Sequence, residues 1–360
     1  MTTTIHKPTR RIVLMGCRKS GKTGIYSNVF RNVTAPDVLF NNPISTELSL
    51  NSFLDLSLWD YPGTPDLYSD TTDPAVLFAN CICVVFVIDS KDDYYPALKQ
   101  LFATVSSAYR VNKNMLFEVF VHKMDGLSDD HKIGSEIAFS IILSVACLKP
   151  IPAPNISNAQ TETQRDIHTR IHDELMDAGL QDVHLGFHLT SIYDHSVCEA
   201  FSKVVQRVLG DEGILPTLEN LLNILCSNSG IEKAFLFDTV TKIYIATDSS
   251  PVDVQSYELC SDMIDVVTDT GLVYGVDSRK EDALDKKESM NLEDGIKSVI
   301  RLNNGMVLYM RGINRTLALV SLLREENFEK HGLIDFNFSV FHEAVSEVFK
   351  IRSVNKNIRL

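Results

Sequence analysis

Apolar runs and amphipathic segments alternate over the first two hundred residues, the pattern of a parallel sheet wrapped by helices. Strands are predicted at 11–16, 81–89, 115–122 and 184–190, from runs such as Ile12-Val13-Leu14-Met15 and Cys81-Ile82-Cys83-Val84-Val85-Phe86-Val87-Ile88-Asp89. The segment 53–59 alternates instead. Leu54, Leu56 and Leu58 fall on one side and Asp55 and Ser57 on the other, which predicts a half-buried antiparallel edge strand. Helices are predicted near 22–32, 95–110, 162–178 and 195–209.

The pattern changes near Gly210-Asp211-Glu212-Gly213, where a domain boundary is expected. Pro216 opens a helix that ends around Ser229-Gly230. Strands follow at 234–238 and 242–247, joined by Thr239-Val240-Thr241, and then a helix at about 252–267. Asn304-Gly305 signals a hairpin between Val299-Ile300-Arg301-Leu302 and Met306-Val307-Leu308-Tyr309. A strand at 317–323 and a helix at 333–349 complete an α+β layer. The chain therefore divides into a tail (1–10), a domain over 11–210, a domain over 216–350 and a tail (351–360).

The 360 residues suffice for two domains, and a 44% hydrophobic content supports ordinary cores. A net charge of −13 and a pI near 5.2 exclude the basic footprint of a sequence-independent nucleic-acid binder. An acidic surface also repels anionic membranes. No stretch approaches about 20 apolar residues, residues 1–11 hold no leader-like apolar region, Met1-Thr2 opposes N-myristoylation, and Asn357-Ile358-Arg359-Leu360 offers no cysteine for prenylation. A membrane location is thus expected only through partners. Seven cysteines without metal-type spacing indicate a reducing compartment, and Cys81 and Cys83, two apart on a strand, are expected to share a core face.

After the first strand comes Gly16-Cys17-Arg18-Lys19-Ser20-Gly21-Lys22-Thr23, which fits G-x-x-x-x-G-K-[ST]. Such a loop turns tightly, offers backbone N–H groups to phosphate oxygens and feeds a helix whose N-terminus favours negative charge. Lys22 would reach the β- and γ-phosphates, and the Thr23 hydroxyl would ligate Mg²⁺. Trp59-Asp60-Tyr61-Pro62-Gly63 contains D-x-x-G, which a β-turn also explains. Downstream of a phosphate loop, that aspartate can hold Mg²⁺ through water and the Gly63 N–H can meet a γ-phosphate. His122-Lys123-Met124-Asp125 and Thr190-Ser191-Ile192 follow the last two predicted strands of this half. An aspartate at 125 can accept both guanine N1–H and the exocyclic amine, a donor pair that adenine lacks on that edge.

These four elements in this order resemble a small Ras-like GTPase, and His122 in place of the usual Asn resembles the Rag/Gtr branch. The stretches 114–133, 162–168 and 189–196 are similar to the RagC/RagD (Gtr2-like) subgroup, as are residues 220–257, including Ser229-Gly230-Ile231-Glu232-Lys233-Ala234-Phe235-Leu236-Phe237-Asp238. The resemblance implies an α/β P-loop (Ras-like) G domain, its mostly parallel sheet wrapped by helices, followed by an α+β roadblock-type domain that dimerises. It implies GTP or GDP with Mg²⁺. The nucleotide would meet Gly16, Arg18, Lys19, Ser20, Gly21, Lys22, Thr23, Gly24, Gly63, His122, Lys123, Asp125, Ser191 and Ile192, and the metal Thr23, Asp60 and Thr46. It further implies a heterodimer with a RagA/B-like GTPase, docking on a Ragulator-type scaffold and signalling of amino-acid sufficiency to TORC1. The expected locations are the cytoplasm, the cytosolic face of the lysosome or vacuole, and the nucleus. In RagC-like subunits the GDP-loaded form is the signalling one.

The sequence departs from the family in three places. Thr64 stands where hydrolytic members place the glutamine that orients the attacking water, so weak intrinsic GTP hydrolysis is expected and no catalytic residue is assigned. Residues 39–52 are shorter than switch I of RagC-like proteins, which leaves Thr46 as the best candidate for the switch I magnesium ligand. Residues 134–161 interrupt the match, as a lineage-specific loop or as a retained intron or faulty gene model; the apolar run 137–148 weights the second reading.

Two rival readings follow. One is a hydrolytically silent, nucleotide-bound adaptor subunit, which Thr64 supports; the other is a P-loop ATPase or kinase, which Asp125 and Thr190-Ser191 oppose. The pairs His168/His172 and His184/His188 have helix-type zinc spacing but lack H-E-x-x-H, and the charged segment 277–294 reads as a solvated loop.

Overall fold

The computed structural model describes residues 10–31, 46–50, 56–61, 74–91, 95–126, 183–210, 213–273, 297–314 and 316–358. The chain falls into two compact units that meet between Ala200 and Phe201 in sequence.

The first unit is built on β1 (Arg10–Gly16), β2 (Thr46–Leu50), β3 (Leu56–Asp60), β4 (Cys81–Asp89), β5 (Leu116–His122) and β6 (Leu185–Thr190). Its helices are α1 (Lys22–Arg31), α2 (Pro74–Phe78), α3 (Tyr95–Val111) and the start of α4 (Ser196–Gly210). The sheet order is β2-β3-β1-β4-β5-β6. Every pairing is parallel except β2 with β3. From β1 the chain leads to β2 and β3 on one side of it, and from β3 it passes to β4 on the other, so the crevice at the carboxyl end of β1 is where an open α/β sheet binds ligands. Strand β4 is buried along nearly its whole length, as expected of an inner strand of a parallel sheet, which matches its apolar run.

Two sequence expectations change here. The alternating segment is not an edge strand: β3 lies between β2 and β1, parallel to β1, and Ser57 as well as Leu56 and Leu58 is buried. The unpredicted strand β2 takes the edge, which makes β3 an inner strand, and the burial of Ser57 shows that its second face is covered as well. Nor does strict alternation set the cysteines' faces. A register shift opposite Arg11 and Ile12 lets Cys81 join Val84, Phe86 and Ile88 in one core cluster that excludes Cys83. Both thiols are buried, and burial pushes Cys81 up to about 12. The helix expected at 162–178 lies outside the described residues, as does the interruption at 134–161.

The second unit holds the rest of α4, then α5 (Leu215–Ser229), β7 (Ile231–Asp238), β8 (Tyr244–Thr247), α6 (Val254–Val273), β9 (Lys297–Arg301), β10 (Met306–Gly312), β11 (Leu317–Arg324), α7 (Glu325–Phe328) and α8 (His331–Ile358). It is the α+β layer expected. The strands pair antiparallel in the order β8-β7-β11-β10-β9. Pro216 sits in the first turn of α5 and Gly230 caps its end, donating to Cys226 O. Phe235, Phe237, Tyr244 and Tyr257 stack in the core at centroid distances of 5.4–6.3 Å. Ser202 of α4 accepts the Tyr244 N–H at 3.0 Å. Helices α6 and α8 run further than their periodicity predicts, to Val273 and Ile358.

Among the described residues no helix is long and apolar enough to cross a membrane, and no three His, Cys, Asp or Glu are grouped for a metal.

Candidate functional site

The crevice collects residues from five strand ends. After β1 the chain turns at Gly16 and re-enters a helix at Lys22. The turn demands glycine at both ends. Gly16 has φ +142° and a Cβ there would stand 2.3 Å from Val87 O; Gly21 has φ +101° and its Cβ would stand 2.4 Å from His122 Cδ2. Lys19, at φ +64°, takes the left-handed conformation without being glycine, a strained residue of the kind that clusters in ligand loops.

Lys22 fills the middle of this loop. Its ammonium donates to Gly16 O at 2.8 Å, Cys17 O at 2.6 Å and Ser20 Oγ at 3.3 Å. Burial lowers its pKa to about 8, against the opposing pull of Asp60. A buried ammonium held by carbonyls is poised to exchange them for anionic oxygens. Arg18 and Lys19 are exposed beside it, and Gly24 is buried in the first turn of α1. Thr23 Oγ1 donates to Asp60 Oδ2 at 2.9 Å, joining the helix start to the end of β3. Burial raises the Asp60 pKa, with Thr23 and Lys22 opposing. In the β2–β3 register, Thr46 stands opposite Asp60. Gly63 and Thr64 lie outside the described residues.

The second cluster forms at the ends of β5 and β6. His122 is buried, and its Nδ1 lies 3.0 Å from Thr190 Oγ1. Burial, helped by the neighbouring Lys123 charge, lowers its pKa to about 4, so the ring is neutral at physiological pH. Lys123, with φ +66°, donates to Lys19 O at 2.8 Å and to Asp89 Oδ2. One side chain thus ties the phosphate loop to the carboxyl ends of β4 and β5. Asp125, in a short 3₁₀ turn, accepts Lys91 Nζ at 2.8 Å on Oδ2 and Ser191 Oγ at 3.2 Å on Oδ1. The Lys91 bond holds the Asp125 carboxyl below the ordinary carboxylate range. Ser191 is buried and its N–H donates to Ser196 Oγ at 2.8 Å, which fixes the loop in which Ile192 is half-buried.

The structure therefore brings the loop residues, His122, Lys123, Asp125, Ser191 and Ile192 to one end of one sheet. Sequence reasoning missed Asp89 and Lys91 as members of the cluster, and it named Thr190 in the Thr190-Ser191-Ile192 element without assigning it a role. Asp89 carried a signal: it is the single carboxylate closing an otherwise apolar buried strand. Of the zinc-type pairs, His184/His188 forms no metal group among the described residues, since His188 pairs with Glu118 at 2.9 Å and His184 is exposed; His168 and His172 lie outside the described residues.

A strand–loop–helix cradle with a buried lysine, joined to a carboxylate that can read a base edge, defines a P-loop nucleotide-binding G domain. The Gtr1/RagA G protein conserved region matches residues 11–141 and 155–264, and the chain belongs to this family of guanine-nucleotide-binding proteins. The human Ras-related GTP-binding protein C is 50% identical over 345 residues, covering 95% of this chain and 77% of its own. Fission yeast (Schizosaccharomyces pombe) GTP-binding protein gtr2 is 45% identical, covering 96% of this chain and 99% of its own. Budding yeast (Saccharomyces cerevisiae) GTP-binding protein GTR2 is 35% identical, covering 94% and 92%. The family match skips residues 142–154, inside the 134–161 interruption noted in the sequence.

Proposed function

We propose that this chain is the RagC/RagD-like (Gtr2-like) subunit of a guanine-nucleotide switch, pairing with a RagA/B-like GTPase to signal amino-acid availability to TORC1. The likeness to Ras-related GTP-binding protein C and the yeast gtr2 proteins supports the subgroup and the pairing, and the Lys123 bridge carries the nucleotide-binding part: its ammonium holds Lys19 O of the phosphate loop and Asp89 beside the Asp125 turn. The two ends of a nucleotide site are thereby set at a fixed spacing. Lys22 and the loop N–H groups hold the phosphates, Asp125 accepts the guanine donors, and Ser191 holds Asp125 in place. Neutral His122 packs the base segment against Gly21.

Thr23 and Asp60 fit a Mg²⁺ ion. They are hard oxygen donors already 2.9 Å apart, Asp60 is buried, and Mg²⁺ takes its other ligands from water and phosphate. The ion would clamp and neutralise the β- and γ-phosphates. Thr46 is the candidate third protein ligand, standing in register with Asp60.

As a switch, the protein acts through conformation, responding to the presence or loss of the γ-phosphate. Residues 216–350, of roadblock type, supply the pairing surface and dock on a Ragulator-type scaffold. The protein works in the cytoplasm and at the cytosolic face of the lysosome or vacuole, reached through those partners, and in the nucleus. Thr64 favours a second reading, a subunit that holds its nucleotide without hydrolysing it.

Purification from its own cells, with identification of the bound nucleotide and the co-purifying chains, tests the proposal. Guanine nucleotide and a RagA/B-like chain are expected. Adenine nucleotide, or a chain recovered alone, overturns it.

A further inference from the structure

The turn after β4 holds Ser90 and Lys91, which the nucleotide reading leaves unused. Asp89 accepts the backbone N–H of Lys91 on Oδ1 at 2.9 Å and the Lys123 ammonium on Oδ2. Ser90 is held from two sides: its N–H donates to His122 O at 2.9 Å and its hydroxyl to Lys123 O at 3.2 Å. The turn is thus tied to the segment 122–125, and the Lys91 side chain reaches Asp125 Oδ2 at 2.8 Å. With Ser191 Oγ on Oδ1, both oxygens of the base-reading carboxylate carry a donor from the chain itself.

The two donors differ in what they permit. A carboxylate offers about four lone-pair sites, so the neutral Ser191 hydroxyl can share Oδ1 with an incoming N–H. Lys91 brings a full positive charge. Guanine N1–H and its 2-amino group present the positive ends of their bonds to the same carboxylate, and an ammonium already 2.8 Å from Oδ2 repels them.

We propose that Lys91 is a built-in competitor of the guanine base: its ammonium must leave Asp125 before the base docks, so residue 91 sets how tightly guanine nucleotides are held. The inference rests on the reading of Asp125 as the base-specifying group. Side-chain exposures of 53% for Lys91 and 25% for Asp125 put the pair in the solvent-screened class. Such pairs contribute about 0.2–1 kcal/mol, which corresponds to about 1.4- to 5-fold in a binding constant.

The test is equilibrium GDP binding to the full chain carrying Lys91→Gln or Lys91→Arg, with XDP binding in an Asp125→Asn background. Asparagine donates to the xanthine C2 carbonyl, so Asp125→Asn shifts preference from GDP to XDP. Lys91→Gln is expected to tighten GDP binding by about 1.4- to 5-fold, and Lys91→Arg to leave it near the parent value. In the Asp125→Asn background, Lys91→Gln is expected to leave XDP binding unchanged, because no carboxylate remains to compete for. The cycle also cancels any long-range attraction between Lys91 and the phosphates. Unchanged or weaker GDP binding by Lys91→Gln overturns the proposal, as does an equal change in both backgrounds. If Asp125→Asn fails to prefer XDP, the base-reading role of Asp125 fails instead, and the proposal with it.

Discussion

His122 lies against Gly21: a Cβ at position 21 would stand 2.4 Å from the ring's Cδ2 and 2.9 Å from Nε2. The base segment and the phosphate loop touch here without an intervening side chain. Gly21→Ala therefore incurs two costs, the clash and an unfavourable φ of +101°, together about 1–3 kcal/mol or more. GDP affinity is expected to fall by at least about fivefold. His122→Ala in the same chain should recover the steric part and leave the backbone part. Gly21→Ala with parental affinity in a GDP-displacement titration would refute the contact.

The same ring predicts an acid limb. The pKa of His122 is about 4 in the folded chain against 6.5 unfolded, because burial disfavours the imidazolium. Between these values the unfolded state binds more protons, so stability is complete above pH 6.5 and is lost as pH falls toward 4. The contribution is about 3 kcal/mol at 1.36 kcal/mol per unit. Urea midpoints of the parent and His122→Asn should converge across this window. Parallel profiles would show that the ring charges freely in the folded state.

Lys22 titrates at the other end of the scale. Its pKa of about 8 reflects burial, and phosphate oxygens would restore its preference for the charged form. Above pH 8 nucleotide binding is expected to take up close to one proton, and affinity to decline as pH rises toward 10.5. Calorimetry in two buffers of different ionisation enthalpy, about one pH unit above that lower value, measures the uptake. A buffer-independent heat would contradict it.

Thr64 cannot orient an attacking water as glutamine does, since it lacks both reach and amide. Single-turnover GTP hydrolysis by the parent is expected to be very slow. Thr64→Gln should raise it by about 10²-fold, the low end of what one positioned group supplies. A parent rate equal to that of the glutamine variant would remove Thr64 as the cause.

In the second unit Lys233 and Asp248 form a buried pair at 3.2 Å, with side-chain exposures of 5% and 6%. Lys233 also donates to Ser250 O at 2.7 Å, and Asp248 accepts the Ala234 N–H at 2.9 Å. Asp248→Ala strands an ammonium in the core and is expected to cost about 3–5 kcal/mol. Replacing both residues by apolar ones of similar size should cost less. A single variant as stable as the parent in denaturant melts would show that Lys233 escapes to solvent.

Much of this architecture was legible because burial writes itself into local pattern. Strand β4 spans the nine residues of its apolar run, and α5 begins and ends where Pro216 and Gly230 mark it. The phosphate loop was legible too, since its residues are contiguous and its two glycines answer a local geometric demand. What the pattern misplaced was β3. Its alternation describes one strand, whereas its place in the sheet depends on the neighbours, and β2 and β1 pair with both its edges. The cysteine pair failed similarly, because a bulge is set by pairing with β1 and leaves no local mark.

The sequence by itself determined the order of elements, the phosphate loop and the residue types available to read a guanine base, all carried by short contiguous segments. Only the tertiary structure decided which distant residues share atoms: Lys123 with Lys19 and Asp89, His122 with Gly21, and Lys91 with Asp125. Those meetings follow from parallel strands ending at one edge of the sheet. A hydrogen bond across that edge is fixed by register and turn conformation, which no single segment encodes.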